Sequence, residues 1–311
     1  KMAARRTIPR SFTRRTSRAP RSYRSSRRFT RRRGGYKRRS SARRPRAMST
    51  RQLLNRTSEK KRDVMLPLTN TQADNPFSTT YSQGPAVIKF PVGFTEVQEF
   101  AYLWNATARP GDNSTGQRGS KIDTSLRTSV TTFARGLKER ITISTNDGTA
   151  WQWRRICFLS KDDMGDSDPD AANYFRRTSN GMVRLMRAEA EAKQWMDHLF
   201  DGERNVDWLS PITAPLNRTQ YTIKYDKTRT IRSGNDSGVT RTYNLWHGMN
   251  KNIVYEQEQT GESMTESSVS VTGKAGMGNY YVADFFVKNG PNDDDSTLEV
   301  APESVYYWHE K

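Results

Sequence analysis

Cysteine, histidine and long apolar runs are what this sequence has least of, and its first fifty residues lack acidic side chains altogether. Cys157 is the only cysteine among 311 residues, so no disulfide can close within the chain and a reducing compartment is expected. Sequons such as those at Asn105 and Asn217 are then read as chance matches. The three histidines, His198, His247 and His309, are far apart and form neither an H-x-H nor an H-x-x-x-H pair. With one cysteine, no zinc-ligand set of known spacing remains. No stretch reaches the roughly 20 apolar residues of a membrane-spanning helix. The basic N-terminus has no apolar core behind it, so a secretory signal is not expected. A transit peptide would need far fewer arginines.

Residues 1–50 contain no Asp, Glu, Leu, Val or Trp, yet they hold 20 of the 52 Lys and Arg. The net charge of +19 therefore divides into a +20 arm and a body of −1 that carries 32 basic and 33 acidic residues. A segment of that composition repels itself and cannot bury a core, so it reads as a disordered polycationic arm. Its cations are Lys1, Arg5, Arg6, Arg10, Arg14, Arg15, Arg18, Arg21, Arg24, Arg27, Arg28, Arg31, Arg32, Arg33, Lys37, Arg38, Arg39, Arg43, Arg44 and Arg46. Guanidinium groups match phosphate geometry. Phe12, Tyr23, Phe29 and Tyr36 lie between the clusters and offer faces for unpaired bases. Sequence-independent, salt-sensitive nucleic-acid binding by the arginines and Lys37 follows. A purely solubilising or targeting tail needs only a handful of charges. The arm, or Lys60, Lys61 and Arg62, is also a candidate nuclear-import signal.

Composition changes over residues 51–75, and the boundary is expected near residue 62, giving an arm of 1–62 and a folded domain of 63–311. The body holds all seven Trp residues and is long enough for one sizeable core. Its apolar residues mostly repeat with period two. Strands are expected at 86–90, 97–104, 130–137, 141–145, 151–158, 221–225, 228–232, 239–246, 252–255, 280–287 and 305–308. The turn residues at 146–149 and 233–238 predict two hairpins. Apolar residues at 182, 185, 186, 192, 195, 196 and 199 follow helical spacing and predict one helix, stopped at Asp201 and Gly202. Many short strands with long loops specify an all-β sandwich, jelly roll or barrel.

Catalytic motifs are missing. Gly111 to Arg118 imitates the start of a phosphate-binding loop, but Gln117 and Arg118 stand where Lys and Ser/Thr are required. The acidic run at 162–170 lacks EF-hand spacing and the bidentate Glu, so it reads as a solvated loop, as does 293–295. Cys157, in an apolar strand, reads as an inert buried thiol. No enzyme activity, metal or cofactor is expected.

The run Thr-Phe-Ala-Arg-Gly-Leu-Lys-Glu-Arg-Ile-Thr-Ile at 132–143, followed by Trp-Gln-Trp-Arg-Arg-Ile-Cys-Phe at 151–158, resembles the central block of genomovirus capsid proteins. These build the shells of small circular single-stranded DNA viruses, including ones that infect fungi. Residues 55–67, 207–208, 233–235, 246–252, 274–278 and the ending Tyr-Trp-His-Glu-Lys at 307–311 fit the same family. The resemblance covers about residue 51 to the C-terminus. It implies a single jelly roll of two packed antiparallel sheets with one helix in a long inter-strand loop. It also implies a closed icosahedral shell of 60 copies around a single-stranded DNA genome, found in the virion and assembled in the host nucleus, without a membrane. Sixty such arms would neutralise about 1,200 phosphates at one charge per nucleotide. Arg154 and Arg155, and more weakly Lys224, Arg229 and Arg232, are candidates for the DNA-facing side. Trp308 and Tyr307 are expected to dock in the last strand or at a subunit contact. A non-viral nucleic-acid-binding protein with a basic tail, of ribosomal or chromatin type, would share the arm but need no self-assembling body. A viral replication endonuclease would need a histidine metal pair, a nucleophilic tyrosine motif and an intact phosphate loop, all missing.

Overall fold

The computed structural model describes residues 48–90, 99–113, 115–162, 164, 174–189, 194–289 and 295–311. The arm cations from Arg5 to Arg46 and most of the acidic run at 162–170 lie outside the described residues. Ser49–Lys311 forms one compact unit, so it starts well before the boundary expected at residue 62. The reason is local. Ser49 and Gln52 form a capping box, the Gln52 amide donating to Ser49 Oγ at 3.3 Å and the Ser49 amide to Gln52 Oε1 at 3.2 Å. This starts helix α1 (Thr50–Thr57), an element the period-two reading did not anticipate.

Strands follow in chain order: β1 (Glu59–Met65), β2 (Pro67–Thr69), β3 (Ser82–Gln83), β4 (Ala86–Lys89), β5 (Glu99–Asn105), β6 (Thr131–Thr145) and β7 (Ala150–Ser160). The short β8 (Arg177–Thr178), β9 (Gly181–Met182) and β10 (Arg184–Met186) precede helix α2 (Gln194–Leu199). The chain ends with β11 (Thr222–Ile231), β12 (Val239–Thr260), β13 (Ser263–Ser270), β14 (Asn279–Asn289) and β15 (Thr297–Glu310).

One large sheet runs β1-β15-β6-β12-β13, with β4 also paired to β15; the other runs β11-β7-β14-β5. Both are antiparallel throughout. The chain passes between them at β4 to β5, β5 to β6, β6 to β7, β11 to β12, β13 to β14 and β14 to β15. Nine strands of seven or more residues, in two interleaved antiparallel sheets, make this a single jelly roll, all-β as expected.

Two predicted hairpins are corrected. β6 pairs with β12 and β15, while β7 pairs with β11 and β14, so residues 146–149 join opposite sheets. Asn146 ties that corner to β15, accepting from the Thr297 amide at 2.7 Å. The 233–238 loop likewise links β11 to β12 across the sandwich, the Val239 amide donating to Thr145 Oγ1 at 3.0 Å. Turn residues mark a reversal, but they do not say whether the chain returns in the same sheet. The predicted long helix is also corrected. Among the described residues of that span only Gln194–Leu199 is helical, and Leu185 and Met186 sit in β10, paired in parallel with Leu68 and Thr69 of β2. Backbone pairing to β2 overrides the apolar spacing there.

The sandwich interior combines Ile141 and Ile143 of β6 with Trp151 and Trp153 of β7 and Phe286 of β14. Ala134 and Leu137 meet Cys157, Val282, Tyr306 and Trp308. The outer face of the second sheet is covered by Trp195, Met196 and Leu199 of α2, with Phe200 and Trp208. This explains the unbroken apolar run of β14, which is buried on both sides.

Between the sheets lies a charged cluster. Arg155 of β7 holds Asp284 of β14 with two bonds, 2.7 Å from Nε and 2.6 Å from Nη2, and reaches Glu139 of β6 at 2.5 Å. Arg184 of β10 bridges the same carboxylates at 2.9 and 3.3 Å. Ser304 of β15 and Trp153 donate at 3.2 and 2.8 Å. His247 Nε2 of β12 lies 3.3 Å from Glu139. Burial opposes ionisation of Glu139, yet Arg155, His247 and Arg184 prevail and hold its carboxyl well below the usual range.

Burial also pulls His247 down, but Cys157 and Glu139 outweigh it and lift the imidazole to about 9. A folded-state value above the ordinary one means the proton stabilises the fold, fully below pH 6.5, with the contribution lost as pH rises through about 9. Urea unfolding at pH 6.5 and pH 9.5 is expected to show a loss of about 3 kcal/mol that His247→Gln lacks. An equal loss in the variant would contradict this.

β15 is the other keystone. Its residues 304–310 pair with the whole of β1, and Trp308 is buried, so the chain end is docked in the last strand. Deleting residues 304–311 is expected to abolish cooperative unfolding in circular dichroism melts; a truncated chain that still melts sharply would refute that.

Candidate nucleic-acid interface

In a strand, alternate side chains leave opposite faces. In β6 this turns Glu139 into the sandwich and Lys138 and Arg140 out of it. Strand register then builds rows across the outer face of the larger sheet. One row is Lys60, His309, Phe133 and Asn252. The next joins Arg62 to Tyr307. A third is Val64, Val305, Lys138 and Trp246, and a fourth brings Glu303, Arg140 and Asn244 together. Lys60, Arg62, Arg135, Lys138 and Arg140 are all exposed, and none forms an ion pair with a described carboxylate.

Aromatic rings lie among these cations. Trp246 is 54% exposed and its ring sits 5.9 Å from that of Tyr307; Phe133 and His309 are 6.0 Å apart. Gly136 makes room for the indole, because a Cβ there would lie 2.7 Å from Trp246 Cζ2. The His309 imidazole is pushed below its ordinary value, chiefly by burial and then by Lys60 and Arg135. Exposed cations beside stacking surfaces are what a single strand of nucleic acid requires.

Next to the first row, α1, the start of β6, the middle of β12 and the end of β15 enclose a groove of about 930 Å³. Among the described residues, no group of three or more His, Cys, Asp or Glu is placed to hold a metal ion, and no helix is long and apolar enough to cross a membrane.

The cations expected from sequence fall elsewhere. Arg155 is 1% exposed and paired with Asp284 and Glu139, so its guanidinium is out of reach of a phosphate in solvent. Arg154 is also buried, with Asp226 on Nε and Nη2 and the carbonyls of Pro211 and Ala214 on Nη1. Both are corrected to structural roles. Arg229 stacks on Trp153 and Tyr243 at 5.0 and 5.1 Å, while Lys224 and Arg232 are exposed on or beside β11 of the other sheet. Lys60, Lys61 and Arg62 do not form one accessible tripeptide. Lys61 points inward, bonded to the Leu126 carbonyl at 2.9 Å and paired with Glu310 at 3.3 Å. Of the three, only Lys60 and Arg62 are exposed in the folded chain.

Comparisons with known proteins add little. No family model matches the chain, and no curated protein matches it. Among solved structures it is similar to an unassembled mutant pentamer of Washington University polyomavirus VP1, with 9% identity over 85% of this chain and 95% of that one, at a TM-score of 0.13. A likeness at that score carries no argument.

The outer-face cations were missed in sequence because residues 138–140 fell between the strands expected at 130–137 and 141–145; the continuous β6 separates Lys138 and Arg140 from Glu139 onto two faces. Binding measured by fluorescence anisotropy against salt tests the surface. Replacing Lys138 and Arg140 together with Gln is expected to reduce the log–log salt slope for single-stranded DNA by about 1.4. An unchanged slope would remove both residues from the interface.

Proposed function

We propose that this chain is a viral capsid protein of the genomovirus type, whose jelly roll assembles into a closed icosahedral shell and whose arginine-rich arm condenses circular single-stranded DNA. The observation that carries the reading is the segregation of charge. A +20 segment is joined to a jelly roll whose own sequence is close to neutral. A near-neutral body can meet copies of itself without strong repulsion, while the arm is suited to a polyanion. The resemblance at residues 132–143, 151–158 and 307–311 points the same way.

The arm, rather than Lys60 to Arg62, is the proposed nuclear-import element, since its basic residues lie in consecutive clusters, whereas Lys61 is buried against Glu310. The proposed partners are copies of this chain, probed as about 60 per shell, a single-stranded DNA genome and the host import machinery. The proposed locations are the virion and, during assembly, the host nucleus. No catalytic step is assigned.

Electron microscopy of purified recombinant protein tests the reading. Uniform particles are expected, and deletion of residues 1–48 is expected to leave particles that no longer retain nucleic acid. A monodisperse monomer at every salt and pH would overturn the proposal in favour of a nucleic-acid-binding protein with a basic tail.

A further inference from the structure

The groove of about 930 Å³ beside α1 is built like a site for a small polar aromatic ligand. Its floor carries Phe133 of β6 and His309 of β15, paired in register and tilted by 38° to one another. Asn250 and Asn252 of β12 stand on the same side. Asn250 has a φ of 52°, in the left-handed region, at the irregularity where β12 slips its register against β6 between Gly248 and Lys251. Asparagine tolerates this region, which suits it to the bulge. Here the Asn250 amide oxygen accepts from Arg135 Nη1 and holds that guanidinium over the groove wall.

Two polar groups of the lining have no hydrogen-bond partner among the described residues. The Asn252 amide is exposed and bonds to none, and Ser58 Oγ, at the end of α1, is buried with none. A carboxamide offers both a donor and an acceptor, which is what the edge of a nucleobase presents. The charge of the site is positive. Arg135 and Lys311 line it, Lys60 adjoins His309, and the one acidic side chain of the lining, Glu310, is taken up by Lys61 and by Trp308 Nε1 at 2.7 Å.

Aromatic floor, unbonded amide and a cation that no described carboxylate neutralises together define one ligand class. We propose that the groove holds a single nucleotide of a single-stranded DNA segment, its base stacked on Phe133 and His309, its edge read by Asn252 and its phosphate held by Arg135. The inference rests on the nucleic-acid reading above and deepens it, placing one nucleotide on the folded body as well as many on the arm. A segment of a second protein copy is the rival occupant, and a groove lined by unpaired polar groups and arginine suits it less well than an apolar one would.

The test is ultraviolet crosslinking of nucleic-acid-containing particles of the full chain, followed by nuclease and trypsin digestion and mass spectrometry. A nucleotide adduct is expected on the peptide spanning residues 128–135 or on the C-terminal peptide. Phe133→Leu is expected to reduce that adduct about tenfold, as loss of one base stack implies, and Phe133→Tyr to restore it. Adducts confined to arm peptides, in particles that do contain nucleic acid, would overturn the groove proposal and leave the capsid reading intact. If no particles form, the same irradiation of soluble full-length protein with oligothymidylate decides the groove separately: an adduct at 128–135 supports it and adducts on the arm alone refute it. Particles that fail to form only in Phe133→Leu, with the adduct retained on the soluble variant, would assign the groove to a subunit contact instead.

Discussion

The buried ion cluster between the sheets is the constraint on which the rest of the jelly roll depends. Two arginines and two carboxylates are removed from water, each below 3% side-chain exposure. Isolated, any of them would cost several kcal/mol to bury. Paired as they are, they are compatible with the core only when β6, β7, β10 and β14 stand in one relative position. Removing a single partner strands the others, which typically costs about 3–5 kcal/mol. A hydrophobic core tolerates sliding; a bidentate arginine bound to Asp284 from one side and to Glu139 from the other does not. The cluster therefore contributes registration of the two sheets more than net stability.

The same cluster explains the outer surface. Because Glu139 is committed to the interior, the alternation of β6 sends Lys138 and Arg140 outward. Because Trp308 and Glu310 are committed inward, Tyr307 and His309 face outward beside them. Interior ion pairing and exterior basic charge are thus two faces of one strand register. A one-residue slip would exchange them, exposing the carboxylates and burying unpaired lysine. The proposed nucleic-acid surface and the structural core are not independent choices of sequence.

Much of the fold was legible because period-two alternation is local. Strands β4, β7, β14 and the end of β15 stand where apolar spacing predicted them. The failures were of two kinds. Hairpins at 146–149 and 233–238 were expected from turn residues, which report a reversal of direction but not a change of sheet. A helix over 182–200 was expected from spacing that parallel pairing with β2 overrode in its first third. At the site, Arg154 and Arg155 were chosen for charge alone, and charge does not reveal whether Asp284 and Glu139, distant in sequence, will claim the guanidinium.

The sequence by itself determined the division of charge, the all-β character and the docking of the last strand. Composition separates a self-repelling segment from one with a core, and alternation marks strands, without any knowledge of partners. Only the tertiary structure decided which cations are free. Whether an arginine is buried in an ion pair or exposed to solvent depends on contacts between strands more than a hundred residues apart, as Arg155 with Asp284 shows against Arg140 on the open face. Local patterning carries no record of those contacts, because register across a sandwich is settled by the packing of both sheets at once.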